Sequence, residues 1–302
     1  MEEWKKSQLN VQQKELEFKK IISMLFYHYA YLAQKETLLK EANTLYNQFF
    51  EKASLRLKAG ESNILEKVTA SSQRTAIMFQ LKQVEQAMNT LKLQLKYLLQ
   101  TDQDFTLQIP NENEFVYSDI QSNTLLKILD QEKIIKAKQT QIEKSKLLPN
   151  LMIGYTLNSF RGTGPNDVTY NAIPQFHSGQ IGIGISIFSK SQKAKIEAAK
   201  IAEKISDNEF KKVENSLTHQ QAVLLNNYSI QKEIVSQYEL NELKNYNIIT
   251  ETANLQFING EINFLEYVTL INQAIAIKSN YIEALWDFNQ TKIQLQYLTI
   301  NQ

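Results

Sequence analysis

Leu55-Arg-Leu-Lys-Ala-Gly60-Glu-Ser-Asn-Ile-Leu-Glu-Lys-Val-Thr69 returns at a spacing of 200 residues as Leu255-Gln-Phe-Ile-Asn-Gly260-Glu-Ile-Asn-Phe-Leu-Glu-Tyr-Val-Thr269. The two stretches agree at Leu, Gly, Glu, Asn, Leu, Glu, Val and Thr. The register holds through Gln73/Gln273, Ile77/Ile277, Asn89/Asn289, Leu95/Leu295 and Leu98/Leu298, so the chain contains an internal duplication. Upstream, Glu17-Phe-Lys-Lys20 pairs with Glu209-Phe-Lys-Lys212 at a spacing of 192, which leaves copy two about eight residues longer before its glycine. A glycine between two helical stretches, one residue past the first, is the residue that a left-handed helix cap favours. Each copy is therefore predicted to be an αα-hairpin turning at its glycine.

The arms of these hairpins are long. Ile22, Leu25, Tyr29, Leu32, Leu39, Ala42, Tyr46, Phe49 and Ala53 recur at steps of three and four, a coiled-coil seam interrupted at Glu36. A second helix is predicted from about Ser62 to Leu99. A third is predicted to run unbroken from Gln192 to Phe257, where neither Gly nor Pro occurs. Of the 8 glycines and 4 prolines in 302 residues, all but Gly60, Gly260 and Pro110 fall between Pro149 and Gly184. There the period changes to strict alternation. Leu151, Ile153, Tyr155 and Leu157 alternate with small or polar residues, as do Ile181, Ile183, Ile185 and Ile187. Two strands, 150–158 and 180–188, have the length and pattern of a membrane β-hairpin, with Ser159 to Ser178 as a polar linker. An ordinary hairpin on a water-facing core fits the alternation equally. Long rods offer no such core, and a lone hairpin is marginal in water. Phe160, Tyr170, Phe176 and Phe188 stand near the strand ends, as an interfacial girdle or as loop packing.

Several function classes are excluded. With 33 Lys+Arg against 32 Asp+Glu, the net charge of +1 supplies no basic excess for nucleic acid. The chain has no Cys, hence no disulfide or thiolate chemistry. His28, His177 and His219 are isolated from other ligand-type residues, so no metal site is expected. Gly162-Thr-Gly-Pro165 lacks the Gly-Lys-Ser/Thr ending of a phosphate loop. No enzyme motif and no cofactor are indicated. Met1 to Gln8 shows no apolar signal segment, and no run approaches a membrane-spanning helix.

Taken together, Leu147-Leu-Pro-Asn-Leu-Met-Ile-Gly-Tyr155, Ile181-Gly-Ile-Gly-Ile-Ser-Ile-Phe188 leading into Lys193-Ala-Lys-Ile-Glu-Ala-Ala-Lys200, and the paired glycine turns resemble the TolC-like outer membrane efflux protein family. The resemblance spans nearly the whole chain. It implies a mainly α fold of long antiparallel coiled-coil hairpins of the α-barrel type, with one inserted transmembrane β-hairpin and an internal duplication. The expected segments are a first helical hairpin at 1–100, a connector at 101–122, a pre-strand helix and membrane hairpin at 123–190, and a second helical hairpin at 191–302. In that family each protomer has two repeats, each giving a strand hairpin to an outer-membrane barrel and helices to a periplasmic tunnel, and three protomers assemble.

Carried over by position, the resemblance makes Gly60 and Gly260 the tips that meet a periplasmic adaptor protein. It makes Glu66 and Glu266 an acidic ring near the tunnel's constriction, where like charges favour cations. The alternative is a solvated charge beside Lys67 or Lys58. The family commonly has Asp at these two positions, and where it usually has Pro before the strand-ending Phe this chain has Ile187. Copy one has no counterpart of the pre-strand helix and hairpin, so the sequence is expected to be the C-terminal portion of a longer protein, a truncated gene model or the tail of a fusion. The implied function is passive export of small molecules or metal ions. The protein would act as a homotrimer in the outer membrane and periplasm of a Gram-negative bacterium, with outer membrane lipid, the adaptor and an inner-membrane efflux pump as partners. The rival is a soluble coiled-coil scaffold without a pore.

Overall fold

The computed structural model describes residues 1–105, 107, 120–185 and 188–299. Among these residues, six α-helices and two strands follow in the order α1 (Glu2–Lys58), α2 (Ile64–Leu99), α3 (Thr124–Ser145), β1 (Asn150–Thr163), β2 (Thr169–Gly184), α4 (Lys190–Gln237), α5 (Leu243–Asn259) and α6 (Phe264–Thr299). They form two compact units, one of Met1–Asn10 with Leu125–Glu214, the other of Val11–Thr124 with Asn215–Gln302.

The larger unit is built on one apolar cluster shared by α1, α2, α5 and α6. The seam residues Leu32, Leu39, Ala42, Tyr46, Phe49 and Ala53 all lie in it, against Ala70, Ile77 and Val84 of α2 and Phe264, Tyr267, Val268 and Ile271 of α6. At its centre the Phe49 and Tyr267 rings are 4.2 Å apart, with Phe257 stacked on Tyr267 at 4.7 Å and Phe264 edge-on to Phe49 at 5.6 Å. Aromatic contacts of this kind add stabilisation beyond the area they bury. Asn123 Nδ2 donates to the Leu298 carbonyl at 2.8 Å and Ser122 Oγ to that of Thr299 at 3.2 Å. These bonds satisfy carbonyls that the end of α6 would leave without helical partners.

The predicted unbroken helix is divided. Between α4 and α5, Tyr238–Glu242 forms a π-helical turn. Such a turn inserts one residue into an α-helix without needing Gly or Pro, so no breaker announces it. Copy two is longer by about one heptad and one residue.

In the smaller unit, α3 packs on the start of α4 and on the first turn of α1. Gln192 Nε2 donates to the carbonyl and carboxylate of Glu143 at 2.9 and 2.8 Å. Lys133 Nζ pairs with Asp207 at 3.3 Å while lying 4.4 Å over the Phe210 ring. Gln131 Nε2 donates to Glu2 Oε2 at 2.9 Å, and Lys6 pairs with Glu132.

The strands are longer than predicted, and residues 159–178 are not a loop. Pairing continues from Asn150↔Gly184 to Ser159↔Gln175, then past an irregularity through Arg161↔Asn171 to Thr163↔Thr169. Residues 172–174, including Pro174, bulge opposite position 160, where a missing N–H is tolerated. The turn is Gly164-Pro-Asn-Asp167, with the Asp167 N–H donating to the Gly164 carbonyl at 3.1 Å. Backbone pairing needs no apolar alternation, so the alternating pattern located only the apolar half of the ladder.

Burial in the aromatic cluster makes a measurable demand. The Tyr46 hydroxyl donates to Asn272 Oδ1 at 2.6 Å, and desolvation pushes the phenols of Tyr46 and Tyr267 up to about 12. Tyr46→Phe is expected to cost about 1 kcal/mol, read from the urea midpoint. Phenols held neutral in the fold lend stability that is intact below the ordinary value of 10.0 and lost as pH rises toward about 12. The midpoint should fall across that window, less steeply in Tyr267→Phe; parallel curves for the two proteins would contradict it.

Candidate functional site

Two features stand out, one in each unit. The first is the strand hairpin. Leu151 pairs with Ile183 and Ile153 with Ile181, while Tyr155 and Leu157 oppose Gly179 and His177. Side chains of directly opposed residues share a face, so Leu151, Ile153, Tyr155, Leu157, Ile181 and Ile183 form one apolar surface. All six are exposed, as is Ile185 just beyond β2. Ile187 lies outside the described residues. At the outer limit of this surface the Tyr155 hydroxyl and His177 Nδ1 are hydrogen-bonded. Beyond them the same face carries Ser159, Arg161 and Thr163. Among the described residues the two strands form a sheet by themselves, so each has an edge with backbone groups that the sheet leaves unpaired.

The second feature is the pair of helix-hairpin turns. Gly60 and Gly260 have φ of 75° and 74°, and a Cβ added at either would meet nothing within 4 Å. The requirement for glycine is therefore conformational, not steric. The Gly60 N–H donates to the Leu57 carbonyl at 3.2 Å and that of Glu61 to Arg56 at 2.9 Å; Gly260 donates to Phe257 at 3.2 Å and Glu261 to Gln256 at 2.8 Å. Both turns are Schellman motifs.

The next helix starts on an asparagine. Asn63 Oδ1 accepts from the N–H groups of Leu65 at 2.9 Å and Glu66 at 3.2 Å, and Asn263 Oδ1 accepts from Glu266 at 3.0 Å. Glu266 Oε2 accepts in return from the Asn263 N–H at 2.9 Å, closing a capping box. Glu66 does not close its box. Its Oε2 lies 3.6 Å from Arg56 Nη1 across the hairpin. The cation that pairs with Glu66 is thus Arg56 of α1, not Lys67 or Lys58.

Glu66 and Glu266 line one cavity of about 770 Å³, together with Lys52, Arg56, Phe257 and Glu261. The two acids line the same cavity, in company with two cations. The sequence reading passed over the leucines. Leu55, Leu65, Leu255 and Leu265 flank the two glycines, are the same residue in both copies, and are exposed in both. Their identity across the duplication was visible; their exposure was not. Among the described residues no three His, Cys, Asp or Glu side chains gather as a metal site, and no helix is long and apolar enough to cross a membrane. His28 sits on Trp286, ring centroids 4.8 Å apart, and burial lowers its pKa.

No protein-family model matches the sequence, and no curated protein matches it. Solved structures do. The chain superimposes on the outer membrane channel CmeC of Campylobacter jejuni with a TM-score of 0.83 and 13% identity, over 98% of this chain and 65% of that one. For CusC, whose crystal structures concern folding and transmembrane channel formation, the TM-score is 0.85 at 13% identity, over 99% and 72%. For the open state of the MtrE outer membrane channel of Neisseria gonorrhoeae it is 0.84 at 9%, over 98% and 69%. The chain thus spans about two thirds of the length of these channels.

The turn geometry predicts unequal roles for equal residues. Glu266→Ala opens a closed box and should destabilise by about 1 kcal/mol; Glu66→Ala should cost less. Gly260→Ala forces a side chain into left-handed backbone and should cost about 1–2 kcal/mol. Equal losses for the two glutamates in thermal unfolding would contradict the asymmetry. Duplicated hairpins turning at Gly60 and Gly260, with one strand hairpin set between them, give this chain the fold of the TolC-like outer membrane channels.

Proposed function

We propose that the protein is the outer-membrane component of a tripartite efflux system, a passive conduit for small molecules or metal ions that works as a homotrimer. The observation that carries this reading is the strand hairpin, whose apolar face and edges demand a lipid contact and further strands. The likeness of fold to outer membrane channels supports it. Leu151, Ile153, Tyr155, Leu157, Ile181, Ile183 and Ile185 would face lipid, with Ile187 continuing the row. The Tyr155–His177 pair would mark the interface, and the Arg161 segment would project into water. The helices would occupy the periplasm of a Gram-negative cell. Energy would come from an inner-membrane pump reached through a periplasmic adaptor.

The tips would contact that adaptor. Gly60 and Gly260 hold each turn, and Leu55, Leu65, Leu255 and Leu265 offer it an apolar surface that both copies keep uncovered. Glu66 and Glu266 would lie at the narrow end of the conduit. Arg56, Lys52 and Glu261 share their cavity, so the charge there is partly compensated and cation preference is set by the balance of these five groups. The rival reading, a coiled-coil scaffold whose tips bind partner helices, is favoured by the same leucines and makes the strand hairpin dispensable.

Deletion of residues 150–188 separates the two. In source cells the intact protein should fractionate with the outer membrane and the deleted form should not. Deletion that leaves fractionation and partners unchanged would overturn the conduit. For the tips, Gly60→Asp with Gly260→Asp should reduce crosslinking to the adaptor at least tenfold, while unchanged crosslinking would remove the tips from the contact.

A further inference from the structure

Charge is distributed unevenly about the strand hairpin. Between Lys146 and Lys190 the sequence carries only two formal charges, Arg161 and Asp167, both toward the far end of the strands. At the near end, where the strands join the helices, the balance is different. Lys144, Lys146, Lys190, Lys193, Lys195 and Lys200 stand against Glu143 and Glu197, an excess of four positive charges in a chain whose net charge is +1. The fold gathers these residues. Asn150 pairs with Gly184, so the two strands meet the helices side by side, and Gln192 ties the start of α4 to Glu143 at the end of α3. Both acids are already engaged, Glu143 with Lys146 and Glu197 with Lys200. Lys144, Lys190, Lys193 and Lys195 are exposed. Among the described residues none of these four has a carboxylate within ion-pair distance, and Lys144 and Lys195 feel Glu197 and Glu143 only at longer range.

A second observation lies between the lysines and the strands. Leu148 and Phe188 are 65% and 92% exposed, on the two segments that lead from the apolar face to the lysines. The surface thus has two adjoining layers, one apolar and one of cations without partners. A phospholipid has the same two layers, and a lysine stem lies along apolar surface while its ammonium stays at headgroup level. We infer that Lys144, Lys190, Lys193 and Lys195 form a binding surface for anionic phospholipid headgroups in the leaflet on the helix side of the membrane. Selection is by net charge: each lysine close to a bilayer favours an anionic headgroup, whereas a zwitterionic one brings a cation of its own. The far end of the hairpin, with one Arg and one Asp, has no such excess. This inference rests on the lipid-facing reading of the hairpin and names the class of lipid that it takes.

The full chain is reconstituted into phosphatidylcholine bilayers that hold a trace of spin-labelled phosphatidylglycerol or of spin-labelled phosphatidylcholine with the same acyl chains. Electron spin resonance reads the fraction of each label that the protein restricts. At low salt the wild type should prefer the anionic lipid by at least about threefold, and screening should reduce that preference as salt rises. Lys144→Gln, Lys190→Gln, Lys193→Gln and Lys195→Gln combined should bring the ratio to about one, and Arg at the same four positions should retain it, with helicity unchanged in both. Equal association of the two lipids with the wild type, or a preference that the Gln variant keeps, would overturn the surface. So would loss of the preference in Arg161→Gln, which would move the site to the far end. Inorganic phosphate at constant ionic strength should leave the ratio unchanged; a ratio abolished by phosphate would assign the lysines to a soluble anion instead. Cosedimentation with phosphatidylglycerol vesicles is scored in parallel. Both lipids restricted equally sinks this surface and spares the lipid-facing hairpin. Neither lipid restricted, with cosedimentation that the Gln variant loses, spares the surface and sinks the hairpin reading, and absence of both signals sinks both.

Discussion

A helix very commonly ends on one residue with left-handed backbone, and the arrangement of the larger unit follows from using that turn twice. Gly60 and Gly260 take φ values that an L side chain rarely adopts, and the bonds around them fix which residue of the returning helix lies beside which residue of the descending one. Asn63 and Asn263 then start the return helix three residues on. Because the two turns are built alike, they align equivalent positions in both copies. Phe49, Phe264 and Tyr267 meet at the centre of the core, where α6 of copy two packs on α1 of copy one.

Equal turns do not produce equal environments. Glu266 closes its capping box, while Glu66 turns to Arg56. Phe264 and Val268 are covered by another helix and Ile64 and Val68 are not. A duplicated unit with one satisfied and one unsatisfied face is an incomplete repeat. The strand hairpin presents the same physical situation in another medium. Its apolar side chains are uncovered and its backbone has open edges, both of which lipid and neighbouring strands would satisfy together.

Much of this was legible in the sequence for identifiable reasons. The helices announced themselves by the scarcity of Gly and Pro, and the glycine turns by their repetition. The seam from Leu32 to Ala53 predicted its burial residue by residue. The π turn at Tyr238–Glu242 was hidden because it needs no special residue. Strand ends were misplaced because the outer ladder is held by backbone bonds and carries no alternating pattern. The role of Glu266 was readable in principle, since Asn-x-x-Glu before an apolar run is a helix-start signature, but its charge drew attention away from its position. The different partner of Glu66 required the fold, because Arg56 reaches it only across the hairpin.

The central claim is that one face of the strand hairpin lies against lipid. Single-Cys variants at positions 150 to 153 and 180 to 183, labelled with an environment-sensitive fluorophore and reconstituted into bilayers containing brominated acyl chains, test it most directly. The account predicts quenching at 151, 153, 181 and 183 and little at 150, 152, 180 and 182, an alternation with a period of two. Uniformly weak quenching along both strands, with the label in water throughout, would contradict it.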